Sequence, residues 1–352
     1  MKRKICYYID HVYSHLNLEQ NCWIHNKDWL SSFYEILFVV RTLESTHVKY
    51  RANFKILCVN NNEPYERVKQ AVVDFKPDIM HIFGPFYLGT AGRIIVDMYG
   101  KCKIVQQYGG GQEQYYWNQM VDVLIVDKVH EHHFGHVPKD RIIVRNNCCD
   151  LDFYKPIANA PKQYDCIMAA GFYASKGQDV VLDILKDEDV SVLFLGSQKS
   201  NIGEPIPEFV HTMELRDMWR DRRIKPTFID FGHPKGMPAH YSSAKIFVWG
   251  SRMCHENPDT LTNRSVTEAV ACGLPFVAFE KTFHKSNFVI NGYNAILVNT
   301  DYEFKCAVMD LLKDDVRRSK MAQESRDIAE AMLDFKVWHD ELMDSLYKKI
   351  LR

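Results

Sequence analysis

The sequence predicts an α/β protein built from two parallel-sheet domains. Three observations carry that prediction. Strand and helix signals alternate along most of the chain, the pattern of consecutive βαβ units. The alternation breaks at residues 155–165, KPIANAPKQYD, which has two prolines and no periodicity, and then restarts. At 352 residues the chain is long enough for two domains that each bury a core.

The elements follow in order. KICYYID (4–10) reads as a strand. Residues 27–45 read as a helix, with Trp29, Leu30, Phe33, Ile36, Leu37 and Val40 at helical spacing. KILCVN (55–60) is a strand, PYERVKQAVVDF (64–75) a helix and DIMHIFG (78–84) a strand. KIVQQY (103–108), VDVLIVD (121–127) and RIIVRN (141–146) are further strands. After the break come strand DCIMAAG (165–171), helix GQDVVLDILKD (177–187) and strand SVLFLGS (191–197). PTFIDFG (226–232) is a strand, HYSSA (240–244) opens a turn and KIFVWG (245–250) is a strand. A helix over 265–272, a strand over 274–279 and helices over 302–334 follow. The closing residues 334–352 read as an amphipathic helix. The expected domains are 1–158, joined by helix 335–352 packing back on it, and 159–334.

Composition sets limits on function. The chain is 46% hydrophobic and 25% charged, as in ordinary globular proteins, and its formal net charge is −1. There is no global basic field to favour a nucleic acid. The ten cysteines include no CxxC pair and fall partly inside predicted strands and helices. They read as reduced, buried thiols of a cytoplasmic protein. No window approaches a membrane span, and the apolar run at the start is too short for a signal peptide. A lipid acceptor would be met at the membrane periphery.

RSVTEAVACGLPFVAF (264–279) is the densest signal. Ser265 is a good N-cap, and Glu268 three residues on completes a capping-box pattern. Gly273 sits at the expected C-cap, before Pro275 and an apolar strand. The helix would open at the C-terminal ends of parallel strands, where its free N–H groups suit a phosphate.

This stretch, with VINGYNAILV (289–298) after it, resembles the C-terminal half of family-four retaining glycosyltransferases of the GT-B fold (glycosyl transferases group 1). NCCDLDFYKP (147–156), DIMHIFG, IMAAGFYASKGQDVVLDIL (167–185), IDFGHPKGMPAHYSSAKIFVWGS (229–251) and the terminal helix resemble further family segments in the right order. The resemblance implies two Rossmann-like domains facing across a cleft. It implies transfer of a hexose from a nucleotide-diphosphate sugar to an acceptor hydroxyl with retention, in glycan or glycoconjugate synthesis. The donor would be a UDP- or GDP-sugar, with no cofactor and no catalytic metal. The acceptor would be a glycan, a lipid-linked molecule or a small molecule. A phage-type DNA base glycosyltransferase and a non-catalytic nucleotide-sugar-binding protein of the same fold are the alternatives.

Carried over residue by residue, the resemblance gives Lys176 to the donor diphosphate, where a fixed cation offsets leaving-group charge. A solvated loop lysine is the ordinary alternative. Arg264, at a helix start, would supply a second positive group. Glu256, in CHENPDTLTN, would read sugar hydroxyls. Gly171, Gly177, Gly232, Ser265 and Val266 line the expected donor site. Glu268 would accept from the ribose hydroxyls, against its reading as a plain helix cap. Gly109, Gly110 and Gly111 allow a ligand close to the backbone on the acceptor or donor-sugar side, against their reading as a plain flexible loop. His81, read as ending its strand, would lie there too, against its more ordinary reading as a buried, satisfied histidine. His130, His132, His133 and His136 match no metal-ligand spacing. The basic run MWRDRRIK (218–225) reads as a solvated turn or a phosphate-binding patch.

The chain also departs from the family. Phe172 replaces the usual arginine after Gly171. Thr260 stands where the first of two paired glutamates is expected. Tyr108 replaces a histidine, and HVYSHLNLEQN (11–21) lacks the usual glycine turn.

Overall fold

The computed structural model describes residues 2–352 except 13–32, 43–44, 52–53, 84–89, 108–114, 127, 129–130, 147, 173, 197–221, 231–235, 252–263, 284 and 338–343. The chain divides into two compact units. One comprises Met1–Asn146 and Lys336–Arg352; the other comprises Asn147–Ser200 and Glu204–Phe335.

The first unit is built on eight strands: β1 (Arg3–Val12), β2 (Tyr34–Thr42), β3 (His47–Arg51), β4 (Phe54–Asn60), β5 (Ile79–Phe83), β6 (Lys103–Gln107), β7 (Val123–Val126) and β8 (Ile142–Val144). Their order is β3-β4-β2-β1-β5-β6-β7-β8. Every described pairing is parallel except the hairpin β3–β4. Helices α1 (Tyr65–Phe75) and α2 (Thr90–Met98) pack their apolar stripes on this sheet through Val68, Val72, Ile94, Ile95 and Met98.

Here the predicted helix over 27–45 is corrected. Tyr34–Thr42 is strand β2, in register with both β1 and β4. Ile36 through Thr42 are all buried. A run apolar on every side, rich in Ile, Val and Phe, suits a strand covered on both faces. The helical spacing came from sampling that run at every third or fourth residue. Strand β3 and helix α2 were not foreseen.

The second unit holds β9 (Tyr164–Ala169), β10 (Ser191–Gly196), β11 (Lys225–Asp230), β12 (Ala244–Trp249), β13 (Phe276–Phe279) and β14 (Ala295–Val298), all parallel, in the order β11-β10-β9-β12-β13-β14. This is the doubly wound order, and its switch point lies between β9 and β12. Its described helices include α3 (Gln178–Leu185), α4 (Met237–Ser242), α5 (Arg264–Ala271), α6 (Asp301–Lys313) and α7 (Asp315–Met332). Phe194, Phe247, Phe276 and Trp249 fill the core.

Two local expectations change. HYSSA is not simply a turn, because its first three residues end helix α4, which carries Pro238 in its first turn. Ser265 is not an N-cap. Helix α5 already begins at Arg264, so Ser265 lies inside its first turn. The far end of α5 is as expected: Gly273 is left-handed (φ 68°), and Leu274 N–H donates to Ala269 O at 3.1 Å.

The second unit starts at Asn147, ahead of the 158/159 junction read from the sequence. Residues 148–154 are bound into it by backbone and arginine hydrogen bonds. Cys149 N–H donates to Leu333 O at 2.9 Å, and Phe335 N–H returns to Cys149 O at 3.1 Å. Arg326 Nη1 donates to Tyr154 O and Ala271 O at 2.9 and 2.8 Å.

The terminal segment is helical at Phe335–Val337 and again in α8 (Asp344–Ile350). Tyr347 of α8 plugs into the first sheet. Its hydroxyl bonds His81 Nδ1 at 2.7 Å and donates to the Tyr7 hydroxyl at 2.9 Å.

Candidate functional site

The C-terminal ends of β9 and β12 flank the switch point of the second sheet. After β9 the chain passes through a short 3₁₀ turn, Ala174–Lys176, into α3. Gly177 is left-handed (φ 81°), and a Cβ there would overlap the carbonyl group of Gly250. The reciprocal Cβ on Gly250 would overlap the carbonyl of Gly177. Only a glycine pair lets the start of α3 abut the end of β12 this closely. Gln178, 4% exposed, donates through Nε2 to Gly171 O at 2.9 Å and closes the loop from inside.

Lys176 sits in this junction at only 9% exposure. A lysine so deeply placed is unusual, since burying an ammonium is costly unless something compensates it. The residue directly after it is pinned by the glycine–glycine contact.

Phe172 explains one family departure. It is 1% exposed and packs toward Phe228, 6.1 Å between ring centroids. Its ring fills the space beside Gly196, where an added Cβ would come within 2.8 Å of it. The residue where the family carries arginine is therefore core in this chain. A charge there would lie unpaired among aromatic rings.

Helix α5 opens after β12 and residues 252–263. Arg264 is exposed, Ser265 half-buried and Val266 fully buried. Glu268 points into the unit, 5% exposed. The Tyr241 hydroxyl, from α4, donates to its Oε2 at 3.0 Å and lies 3.2 Å from Ser265 O. Tyr154 donates to the same carboxylate. Burial pushes the Glu268 carboxyl above the usual range, while Arg264 and the two phenols pull it back. The capping-box reading of Ser265 and Glu268 is thus replaced by a tyrosine-held carboxyl. Ser251, directly after Gly250, is buried, and its carbonyl accepts from Thr282 Oγ1 at 2.8 Å.

The structure brings Gly171, Lys176 and Gly177 together at the end of β9, with Ser265, Val266 and Glu268 on α5 in the same unit. Glu256, Gly232, Gly109, Gly110, Gly111, Tyr108, Thr260 and Arg252 lie outside the described residues. His81 is not at a strand end. It is mid-strand in β5, fully buried, stacked on Tyr7 and Phe83 and bonded to Tyr347. Among the described residues no group of His, Cys, Asp and Glu is arranged to hold a metal. In the basic run, Arg222 and Lys225 face Asp187 and Asp189 at 3.5 and 2.5 Å. No described helix is long and apolar enough to cross a membrane.

Sequence reasoning missed Tyr154, Tyr241, Gln178 and Gly250. Gly250, directly after a strand, carried a usable signal. The tyrosines carried none, because their partner is remote in sequence.

Comparison with known proteins agrees with this geometry. Residues 165–314, which span the switch point and both flanking helices, match the family model described as glycosyl transferases group 1. The chain has the fold of GT-B glycosyltransferases, and within its second unit residues 165–314 are similar to glycosyl transferases group 1. Its fold is similar to sucrose-phosphate synthase from Thermosynechococcus elongatus, with TM-score 0.77 and 13% identity over 99% of each chain. It is also similar to Anabaena HepE in complex with UDP, with TM-score 0.70 and 14% identity over 99% of this chain and 100% of that one. An α-glucosyltransferase in complex with UDP and DNA containing an HMU base gives TM-score 0.66 and 12% identity over the whole of both chains. In sequence, 183 residues are 27% identical to spore coat protein SA of Bacillus subtilis (strain 168), a match spanning 49% of this chain and 46% of that protein.

Proposed function

We propose that this chain transfers a hexose from a nucleotide-diphosphate sugar to an acceptor hydroxyl with retention, without a metal or other cofactor. The observation that carries the reading is Lys176. It is a nearly buried lysine, directly before a glycine–glycine contact at the switch point of a doubly wound sheet. Open α/β sheets bind ligands there. A cation held in a low-dielectric junction, with no reorganisation needed, is well suited to the charge that develops on a leaving diphosphate.

The roles follow. Lys176 faces the leaving phosphate, and Arg264 and the first turn of α5 add positive potential. Glu268 accepts from the ribose hydroxyls. The bond from the anomeric carbon to the diphosphate breaks, and the acceptor oxygen bonds that carbon on the same face. The acceptor proton passes to the departing phosphate oxygen, so no separate protein base is required. The donor is a UDP- or GDP-sugar, and Glu256, Gly232 and Gly109–Gly111 complete the donor-sugar and acceptor contacts. The acceptor is a glycan, a lipid-linked molecule reached at a membrane surface or a small molecule, in a cytoplasmic setting. The described cysteines are all free thiols, which accords with that setting.

A DNA acceptor is the second reading, favoured by the likeness to the DNA-bound α-glucosyltransferase. Against it, Arg222 and Lys225 in the basic run are already ion-paired. A salt-dependent gel shift with hydroxymethylated DNA separates the two readings.

The test is a thermal-shift screen against UDP-, GDP-, ADP- and CDP-sugars. One nucleotide class should raise the melting temperature, since a ligand that binds only the folded state stabilises it. Lys176→Ala should weaken that shift and cut transfer by about a hundredfold. No shift with any donor would overturn the transferase reading in favour of a fold retained without activity.

A further inference from the structure

We infer that Tyr241 and Tyr154 are positioning residues that set the Glu268 carboxylate for the two hydroxyls of a nucleoside ribose. This rests on the donor reading above and names the part of the site that reads the nucleoside.

Three separate pieces of chain converge on one carboxyl. Glu268 comes from α5, Tyr241 from α4 and Tyr154 from the segment that opens the unit. Each is buried, with exposures of 5%, 0% and 3%. The backbone of Tyr154 is itself fixed by Arg326, which also grips the last turn of α5 at Ala271 O. One arginine therefore sets both the phenol and the helix that carries its acceptor. A glutamate that only capped a helix would need none of this convergence.

The chemistry matches a diol. An ionised carboxylate offers about four lone-pair sites. The two phenols occupy two of them and fix the plane of the group. The remaining sites can accept from two adjacent hydroxyls, as a rigid receptor requires. The phenols also favour the ionised form, the only form that accepts through both oxygens. They counter the burial that pushes Glu268 upward. The other titratable or charged groups facing it are Arg264, which lowers it, and Cys272, whose thiol burial keeps neutral. Tyr241 is likewise held neutral by burial, so it remains a donor.

The single Tyr241 proton has two acceptors within reach, Glu268 Oε2 at 3.0 Å and Ser265 O at 3.2 Å. Ionised Glu268 accepts the hydrogen bond from that O–H. When Glu268 is protonated, its own O–H can donate to the Tyr241 oxygen, and Tyr241 can turn to Ser265 O. Protonation of the carboxyl would thus be passed to the first turn of α5.

The experiment titrates UDP, and separately GDP, into the full chain over a range of pH. The unmodified protein, Tyr241→Phe and Tyr154→Phe are compared. Each nucleotide is paired with its analogue lacking both ribose hydroxyls. Tyr241→Phe should weaken binding of the intact nucleotide by about tenfold, the loss of one hydrogen bond to a charged group. It should leave the analogue unchanged. The pH below which affinity falls should move upward, because a bond favouring the ionised carboxyl is gone. Equal weakening of nucleotide and analogue, or no weakening of either, would overturn the inference and leave the donor reading standing. Failure of the unmodified chain to bind UDP or GDP at any pH would overturn the donor reading and this one with it. Tyr154→Phe carries the same comparison if Tyr241→Phe does not fold, as circular dichroism would show.

Discussion

Two places in the second unit spell the same helix-start signature, Ser265-Val-Thr-Glu268 and Thr300-Asp-Tyr-Glu303. At the start of α6 the signature does what it predicts. Glu303 N–H donates to Thr300 Oγ1 at 3.2 Å, and Thr300 N–H donates back to Glu303 Oε2 at 3.0 Å. Both residues face water. At α5 the same letters give no box. The helix begins one residue early, and Glu268 turns inward to Tyr241 and Tyr154. The pattern is local, but what decides it is whether the glutamate has a better partner inside the fold. At Thr300 nothing competes for Glu303 except solvent and Asn299 N–H. At Ser265 two buried phenols compete, and they win because an unpaired buried hydroxyl is costly.

The contrast can be broken by substitution. Glu268→Ala should be the most damaging, at about 3 kcal/mol in urea unfolding, because it strands two buried phenols and opens a void. It should also abolish nucleotide-dependent stabilisation. Thr300→Ala should cost about 1 kcal/mol, the usual cost of a lost N-cap, and leave nucleotide binding intact. Similar losses at both sites, with nucleotide binding spared, would reduce Glu268 to an ordinary structural residue.

The smallest effect is the sharpest, because its sign differs between the sites. Backbone N–H bonds from Asn299 and Thr300 hold the Glu303 carboxyl below its usual range. Its stabilising contribution is therefore present above the ordinary glutamate pKa and lost as pH falls through the lowered folded value. Burial holds Glu268 above that range. Its contribution is full below the ordinary value and is lost as pH rises through the raised folded value. Unfolding midpoints should show Glu303→Gln below the parent protein near neutral pH and converging on it as pH falls, with no difference left at the acid limit. Glu268→Gln should gain relative to the parent as pH rises. The same sign at both sites would mean that Glu268 is not buried as a carboxyl in solution.

Much of the fold was legible. Strands β4–β7 and β9–β13 stand where short apolar runs end at glycine, proline or charge. Helices α1, α3, α6 and α7 follow helical spacing. The misread segment was β2. Periodicity cannot separate a strand covered on both faces from a buried helix, and β2 is covered because β1 and β4 flank it. The site was legible only in part. Lys176 and Gly177 could be placed from a strand–loop–helix pattern, and Gly273 from its position after a helix. His81 drew attention by its residue type, yet its partners, Tyr7 and Tyr347, lie 74 and 266 residues away in sequence. Nothing near it in the chain announces that it is core.

By itself, then, the sequence determined the class of fold, the order of its layers and the identity of the glycines that bend the backbone. These depend on side-chain periodicity and on φ, which act over a few residues. The tertiary structure decided which titratable groups leave water. It put Glu268 under two tyrosines, packed Phe172 beside Gly196, raised Lys176 against a glycine pair and buried His81 against the chain's last helix. Those outcomes depend on desolvation and on partners brought together from distant parts of the chain, which no local pattern encodes.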